Sequence, residues 1–191
     1  VIMTGPLTGT LSPTSSRYCM VFKSPLTQNT LNDSHCGGRL GIEIKKAGYD
    51  GIIIEGKLNE PGYLLISDDE VEFKQANDLW GKLTSDSLSI LKERHPKHSI
   101  AVIGPAGEKL VRFAAIRNED RFVGRGGSGT IFGSKMLKAI VVKGNKSIKP
   151  VNEFAFKTLN KKFLETLQGH PVTGTGMGLY GTPVLSTAVN K

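Results

Sequence analysis

Part of this chain is written twice. Gly37-Gly38-Arg39-Leu40-Gly41 opens a stretch that runs through Lys45-Lys46-Ala47 to Ile52-Ile53-Ile54-Glu55-Gly56-Lys57. Gly126-Gly127-Ser128-Gly129 opens another, through Lys135-Met136-Leu137-Lys138 to Ala139-Ile140-Val141-Val142-Lys143-Gly144. Each is a glycine turn, then a short amphipathic segment, then an apolar run that ends in glycine. Upstream, Val1-Ile2-Met3-Thr4-Gly5-Pro6 is answered by Ala101-Val102-Ile103-Gly104-Pro105, and Arg17-Tyr18-Cys19 by Arg112-Phe113-Ala114. The duplicated halves cover about 1–57 and 100–145. Two glycine turns feeding helix starts, each near arginines, predict two anion sites related by a pseudo-dyad. A ligand with two equivalent phosphates fits that pattern.

Composition narrows the ligand. The chain has 191 residues, 38% of them hydrophobic, enough for a core. Its 23 glycines cluster beside apolar runs, as tight turns and close ligand approaches require. The net charge is +8, yet no run of five basic residues occurs, and the 7% aromatics are not interleaved with basic residues as a stacking platform needs. A buried polyanionic cofactor accounts for the charge better than nucleic acid. Cys19 and Cys36 form no Cys-x-x-Cys pattern, so spacing offers neither a zinc nor an iron–sulfur ligand set. No secretory or membrane-spanning stretch occurs, and the chain reads as reduced and intracellular. The abrupt ends predict a piece cut at both termini.

Along the chain, residues 1–4 and 17–23 read as strands, with loops at 7–16 and from Ser24-Pro25 to Gly38. Residues 39–47 predict a short helix with Leu40, Ile44 and Ala47 on one face and Gly48 as cap. Gly51 to Glu55 reads as a buried strand. Residues 62–74 predict a hairpin turning at Asp68-Asp69, with Tyr63, Leu65, Val71 and Phe73 inward. Asn77 to Trp80 reads as a turn, Trp80 as core, and 84–94 as a helix capped by Thr84. Lys149-Pro150 marks a boundary between residues 1–148 and a following region, 149–191. There 152–168 predicts an amphipathic helix and Gly169 to Gly181 a loop or linker. Irregular alternation with an antiparallel hairpin favours α+β.

Gly124-Arg125-Gly126-Gly127-Ser128-Gly129 is the sharpest motif. Glycine lets backbone N–H groups approach a phosphate, the next helix start adds donors, and Arg121 and Arg125 add charge-assisted bonds. No Gly-Lys-Ser/Thr closes it, so it is not a P-loop, and charged Asn118-Glu119-Asp120-Arg121 stands where a Rossmann fingerprint needs a strand. Ser34-His35-Cys36 precedes the first glycine pair. Adjacent residues on an extended chain rarely face each other, so it reads as a polar loop rather than a nucleophilic pair. His95 and His98 read as solvated in a surface loop, and His170 only precedes Pro171; Glu43, Asp50 and Glu55 are acid–base candidates, the simpler reading being a solvated helix face for Glu43 and a turn for Asp50.

A family likeness rests on Thr4-Gly5-Pro6-Leu7-Thr8-Gly9-Thr10, Arg17-Tyr18, Lys23-Ser24-Pro25-Leu26-Thr27, Ala47-Gly48-Tyr49-Asp50 and Ile53-Ile54-Glu55-Gly56-Lys57. It extends through Trp80-Gly81-Lys82, Ile103-Gly104-Pro105-Ala106-Gly107-Glu108, Phe113-Ala114-Ala115-Ile116, Gly124-Arg125-Gly126-Gly127 and Gly133-Ser134-Lys135. In order and spacing the chain resembles the N-terminal domain of aldehyde ferredoxin oxidoreductases. The resemblance implies an internally duplicated α+β domain: two related β-sheets with short helices under a tungsten or molybdenum bis-pterin cofactor whose phosphates share a magnesium ion. Carried over by position, cofactor contacts fall on Arg17, His35, Gly37, Arg121, Phe122, Gly124 and Arg125, with the backbone carbonyls of His35 and Phe122 toward magnesium. Archetypal members carry Asn at His35 and Ala at Phe122, and Arg17 stands one residue further from the glycine pair.

The resemblance also implies a [4Fe–4S] cluster ligated by cysteines outside this chain, a cytoplasmic enzyme that oxidises aldehydes to carboxylic acids, ferredoxin as acceptor, and a possible homo-oligomer. Alone, this piece is expected to be inactive. A related oxidoreductase acting on an aromatic acyl thioester, and a non-catalytic phosphate- or nucleotide-binding module, are the alternatives.

Overall fold

In the computed structural model, which describes residues 1–190, the repeated stretches build two sheets. The first contains β1 (Ile2–Thr4), β2 (Tyr18–Lys23), β3 (Leu31–Cys36) and β4 (Gly51–Ile52), antiparallel in the order β3-β2-β1-β4. The second contains β5 (Gly62–Ser67), β6 (Glu70–Gln75), β7 (Ser99–Val102), β8 (Ile116–Asn118), β9 (Arg121–Val123) and β10 (Leu137–Lys143). Its order is β6-β5-β10-β7-β8-β9, and β10–β5 is a parallel pair. Four helices belong to this unit: α1 (Leu40–Ala47), α2 (Thr84–Arg94), α3 (Pro105–Glu108) and α4 (Ser128–Ser134).

The order β3-β2-β1-β4 is repeated as β9-β8-β7-β10, and β5-β6 extends the second sheet beyond the repeat. Register sharpens the match. Cys19 lies between Met3 and His35, as Arg117 lies between Val102 and Phe122. Tyr18, opposite Cys36, matches Ile116, opposite Val123. Arg17 therefore corresponds to Ala115, not to Arg112 as the sequence echo suggests. Gly37 likewise corresponds to Gly124, and not to Gly126. The second copy spends one more residue before its helix and sets its glycine pair two positions later, and alignment by glycines slid across that offset.

One core lies on the inner faces of both sheets. Ile2, Tyr18, Met20 and Phe22 meet Ala101, Ile103, Ile116 and Ile140 there, with Leu40, Ile44 and Ala47 of α1 and Phe132 of α4. A second core joins Tyr63, Ile100, Val102, Ala139 and Val141 to Leu88 and Leu91 of α2. β10 is buried on both faces, which is why its sequence is an unbroken apolar run around Lys138. Lys138 is fully buried and bonds Glu108 Oε1 and Lys82 O, while Glu108 Oε2 accepts from Gly81 N–H at 2.7 Å. The Gly48 cap adopts φ 99°, a left-handed conformation natural to glycine.

Four local expectations change. Residues 31–36 are a strand, not a loop: β3 is an edge strand held by backbone pairing to β2, and its outward side chains after Leu31, Asp33 and His35, are polar. The strand at Gly51 stops at Ile52, and Ile53 is exposed. Val71 pairs with Ile66 and Phe73 with Leu64, so both share that face rather than the Tyr63 face, and on an edge strand both stay exposed. Leu83 occupies the N-cap of α2, and Thr84 lies within the helix without a capping bond.

The chain divides at Ile148/Lys149, with Leu11–Pro13 grouped with the second unit. That unit contains α5 (Glu153–Gly169), where Asn152 Oδ1 accepts from Ala155 N–H at 2.9 Å. Its Phe154, Leu159, Phe163 and Leu164 are exposed. The stretch expected as a glycine linker is helical instead, with a π-helical turn at Pro171–Gly176 and a turn of helix at Met177–Tyr180. Thr173 Oγ1 donates to Leu167 O at 2.6 Å, and a Cβ on Gly174 would lie 2.0 Å from Gln168 O. Glycine lets the wide turn fold back on the helix end.

Candidate functional site

The edge strands β3 and β9 bring the two sheets together. Across the seam, Arg125 N–H donates to Ser34 Oγ at 3.2 Å. Beside it opens a cavity of 710 Å³ lined by Arg17, Asn32, Asp33, Ser34, His35, Phe122, Gly124 and Arg125. Five of the seven residues singled out in the sequence thus line one concavity. The other two lie close by. Gly37 directly follows β3, and Arg121 approaches Gly38, where a Cβ would stand 3.6 Å from Arg121 Cγ. His35 and Phe122 occupy equivalent rungs of the two copies.

The glycines divide into two kinds. A Cβ on Gly37 would meet nothing within 4 Å, and one on Gly124 would have Phe122 Cβ as its nearest neighbour, at 3.9 Å. Both are open, as an approaching ligand requires. Gly126 and Gly127 are tight: a Cβ would fall 1.7 Å from Asn32 Nδ2 and 2.1 Å from Arg112 O. Their φ values are 72° and 84°. This pair is demanded by packing, not by a ligand. Two backbone donors at the start of α4 are engaged, since Gly129 N–H donates to Ala114 O at 2.8 Å and Thr130 N–H to Gly127 O at 3.1 Å. The sequence expectation of free donors at this helix start is corrected accordingly.

Positive charge dominates the site. Arg17, Arg121 and Arg125 make no ion pair among the described residues, whereas Arg39 is engaged by Glu43 at 2.9 Å. Asp33 is turned to His35 Nε2 at 3.0 Å. Burial pushes the Cys36 thiol up, against the pull of Arg121 and Arg17. Three free guanidinium groups beside two open glycines suit oxyanions, which they can hold by charge-assisted and backbone bonds.

Sequence reasoning missed Asn32, Asp33 and Ser34, because it took β3 for a loop. The period-two pattern was present in the inward pair Ser34 and Cys36, both buried. The other acid–base candidates fall elsewhere: Glu43 Oε2 accepts from Gly144 N–H at 3.1 Å, and Asp50 pairs with Lys45. His95 and His98, expected as solvated, are engaged instead. His95 Nε2 contacts Tyr63 Oη at 2.9 Å and His98 Nε2 contacts Ser67 Oγ at 3.3 Å.

An α+β unit with two sheets meeting at an oxyanion-suited cavity defines the class. Residues 1–144 match the family model described as "Aldehyde ferredoxin oxidoreductase, N-terminal domain". The chain belongs to the aldehyde ferredoxin oxidoreductase family and carries its N-terminal domain. It is 46% identical over 194 residues to the tungsten-containing aldehyde ferredoxin oxidoreductase of Pyrococcus horikoshii, covering 100% of this chain and 32% of the relative. It is 38% identical over 199 residues to the aliphatic sulfonate oxidoreductase, WOR-like subunit, of Pyrococcus furiosus, covering 94% and 31%. Among solved structures, the active site complex BamBC of benzoyl coenzyme A reductase, in complex with 1,5 dienoyl-CoA, matches with TM-score 0.85 and 35% identity, covering 87% of this chain and 26% of that one. The chain thus spans about a third of its curated relatives' length.

Proposed function

We propose that this chain forms the phosphate-gripping floor of a tungsten or molybdenum bis-pterin site in a larger oxidoreductase. The observation that carries the reading is the set Arg17, Arg121 and Arg125, committed to no acid among the described residues, beside the open Gly37 and Gly124. In this reading the guanidinium groups and glycine N–H groups hold the two pterin phosphates. The backbone carbonyls of His35 and Phe122 hold magnesium, whose preference for oxygen they meet. The domain is assigned to residues 1–148, with 149–191 beginning the next region.

When bound, the metal centre would supply the redox chemistry, oxidation of an aldehyde to a carboxylic acid. This chain would bind, orient and neutralise. The electrons would pass through a [4Fe–4S] cluster ligated outside this chain to ferredoxin, in a cytoplasmic enzyme that assembles with its remaining domains and possible further copies. The names of the curated relatives support the aldehyde and ferredoxin assignments. Reduction of an aromatic acyl thioester is the second reading, supported by the likeness to BamBC. Among the described residues no helix is long and apolar enough to cross a membrane.

The test is metal and pterin analysis of the enzyme that carries this chain, isolated anaerobically after growth with tungstate. Arg125→Ala is expected to lower both contents while the protein stays folded. Unchanged pterin and tungsten would overturn the assignment, and retained nucleotide binding without pterin would favour a plain phosphate-binding module.

A further inference from the structure

On the outer face of the four-stranded sheet, where Asp33 and His35 form part of the cavity wall, three side chains of different chemistry converge. Cys19 and His35 face each other across β2 and β3, and Asp33 lies two residues from His35, hence on the same face. Their ligand atoms all lie within 4.8 Å of one another, and His35 Nε2 to Asp33 Oδ2 is 3.0 Å. We propose that Cys19, Asp33 and His35 form a binding site for a borderline-soft divalent cation, zinc by preference.

The argument begins with ligand type. One thiolate, one imidazole and one carboxylate are a donor set zinc accepts, and three protein ligands leave a fourth, open position. Hard ions such as magnesium would gain little from the sulfur. The charges also close: thiolate and carboxylate together balance a dication, with the thiol proton released on binding.

The repeat supplies a second, independent observation. If the fold required these side chains, the matching rungs would carry similar ones. The rungs equivalent to Cys19 and His35 hold Arg117 and Phe122 instead. The cluster is particular to one half, on strands whose backbone pairing is otherwise the same. Spacing along the sequence conceals it: one cysteine shows no zinc pattern until β2 and β3 pair. A cation there would tie these strands together at the cavity that Arg17 also lines. This site uses side chains, whereas the magnesium reading uses backbone carbonyls; the two share only His35.

The test is zinc titration of the purified, chelator-stripped protein, followed by zinc K-edge X-ray absorption. The expected result is one zinc per chain with a sulfur neighbour at about 2.3 Å and lighter neighbours near about 2.1 Å. Cys19→Ser should remove the sulfur shell, while Cys36→Ser keeps it. Asp33→Asn and His35→Gln, both at exposed positions, should each weaken affinity at least about tenfold. Circular dichroism checks that each variant is folded. Loss of zinc on dialysis, a shell of nitrogen and oxygen only, or a sulfur shell that survives in Cys19→Ser would each overturn the proposal. None of these readouts depends on pterin content, so this site and the cofactor reading fail separately.

Discussion

Ser34 Oγ accepts from Arg125 N–H at 3.2 Å, joining residues ninety-one positions apart across the seam of the two sheets. Ser34 is buried, and its hydroxyl sits where the cavity wall passes from one copy of the repeat to the other. Ser34→Ala is expected to cost about 1 kcal/mol in a denaturant melt, the ordinary worth of one such bond. It should also lower cofactor retention in the intact enzyme. A melt equal to wild type would mean that the seam is held elsewhere.

The open and tight glycines make opposite predictions. A Cβ on Gly133 would lie 1.9 Å from Gly107 O, so Gly133→Ala must push α4 from α3. A loss of more than about 2 kcal/mol is expected in urea unfolding. Gly37→Ala points into open space, and its stability should stay within about 0.5 kcal/mol of wild type. If Gly37 cradles a phosphate, the same substitution lowers pterin content while the melt is unmoved.

Lys138 and Glu108 are a buried pair, the lysine fully inside and pushed down by burial, with Glu108 pulling back up. Removing one partner strands the other. Lys138→Met and Glu108→Gln are each expected to cost about 3–5 kcal/mol by chemical denaturation. The double variant Lys138→Met with Glu108→Leu should recover part of that loss. Failure of the pair to couple would show that Lys82 O and Gly81 N–H suffice as partners.

His95 gives a pH dependence. Burial pushes its imidazole below the ordinary value, and His98, Arg94 and Lys74 push the same way. A base depressed in the fold binds its proton more readily when unfolded. Stability is therefore full at neutral pH and is lost as pH falls below about 6.5, where the unfolded chain begins to take up the proton. Urea midpoints taken from about pH 7.5 down to about pH 5 should fall, and His95→Gln should flatten that fall. An unchanged slope in the variant would locate the dependence in other groups.

Local signals carried much of this architecture. The apolar spacing of Leu40, Ile44 and Ala47 with Gly48 behind it defined α1, and Asp68-Asp69 between two alternating runs defined the β5–β6 hairpin. What stayed hidden was settled by partners distant in sequence. β3 looks like a loop because an edge strand draws its order from the backbone of β2. Val71 and Phe73 were turned to the wrong face because alternation fixes two faces but not which one a core covers. At the site, the arginines were legible as charge. The division between Gly37 and Gly124 on one side and Gly126 and Gly127 on the other required knowing that Asn32 and Arg112 press on the latter.

The matched rungs at His35 and Phe122 carry one more implication. A main chain that presents the same contour from two directions offers a symmetric guest two indistinguishable ways to sit down. Any preference for one seating must then arise where the copies disagree: imidazole against phenyl at these rungs, and, more plainly, the Arg17 guanidinium against the Ala115 methyl. Loading polarity in this domain becomes a property of a few variable substituents superimposed on an indifferent scaffold.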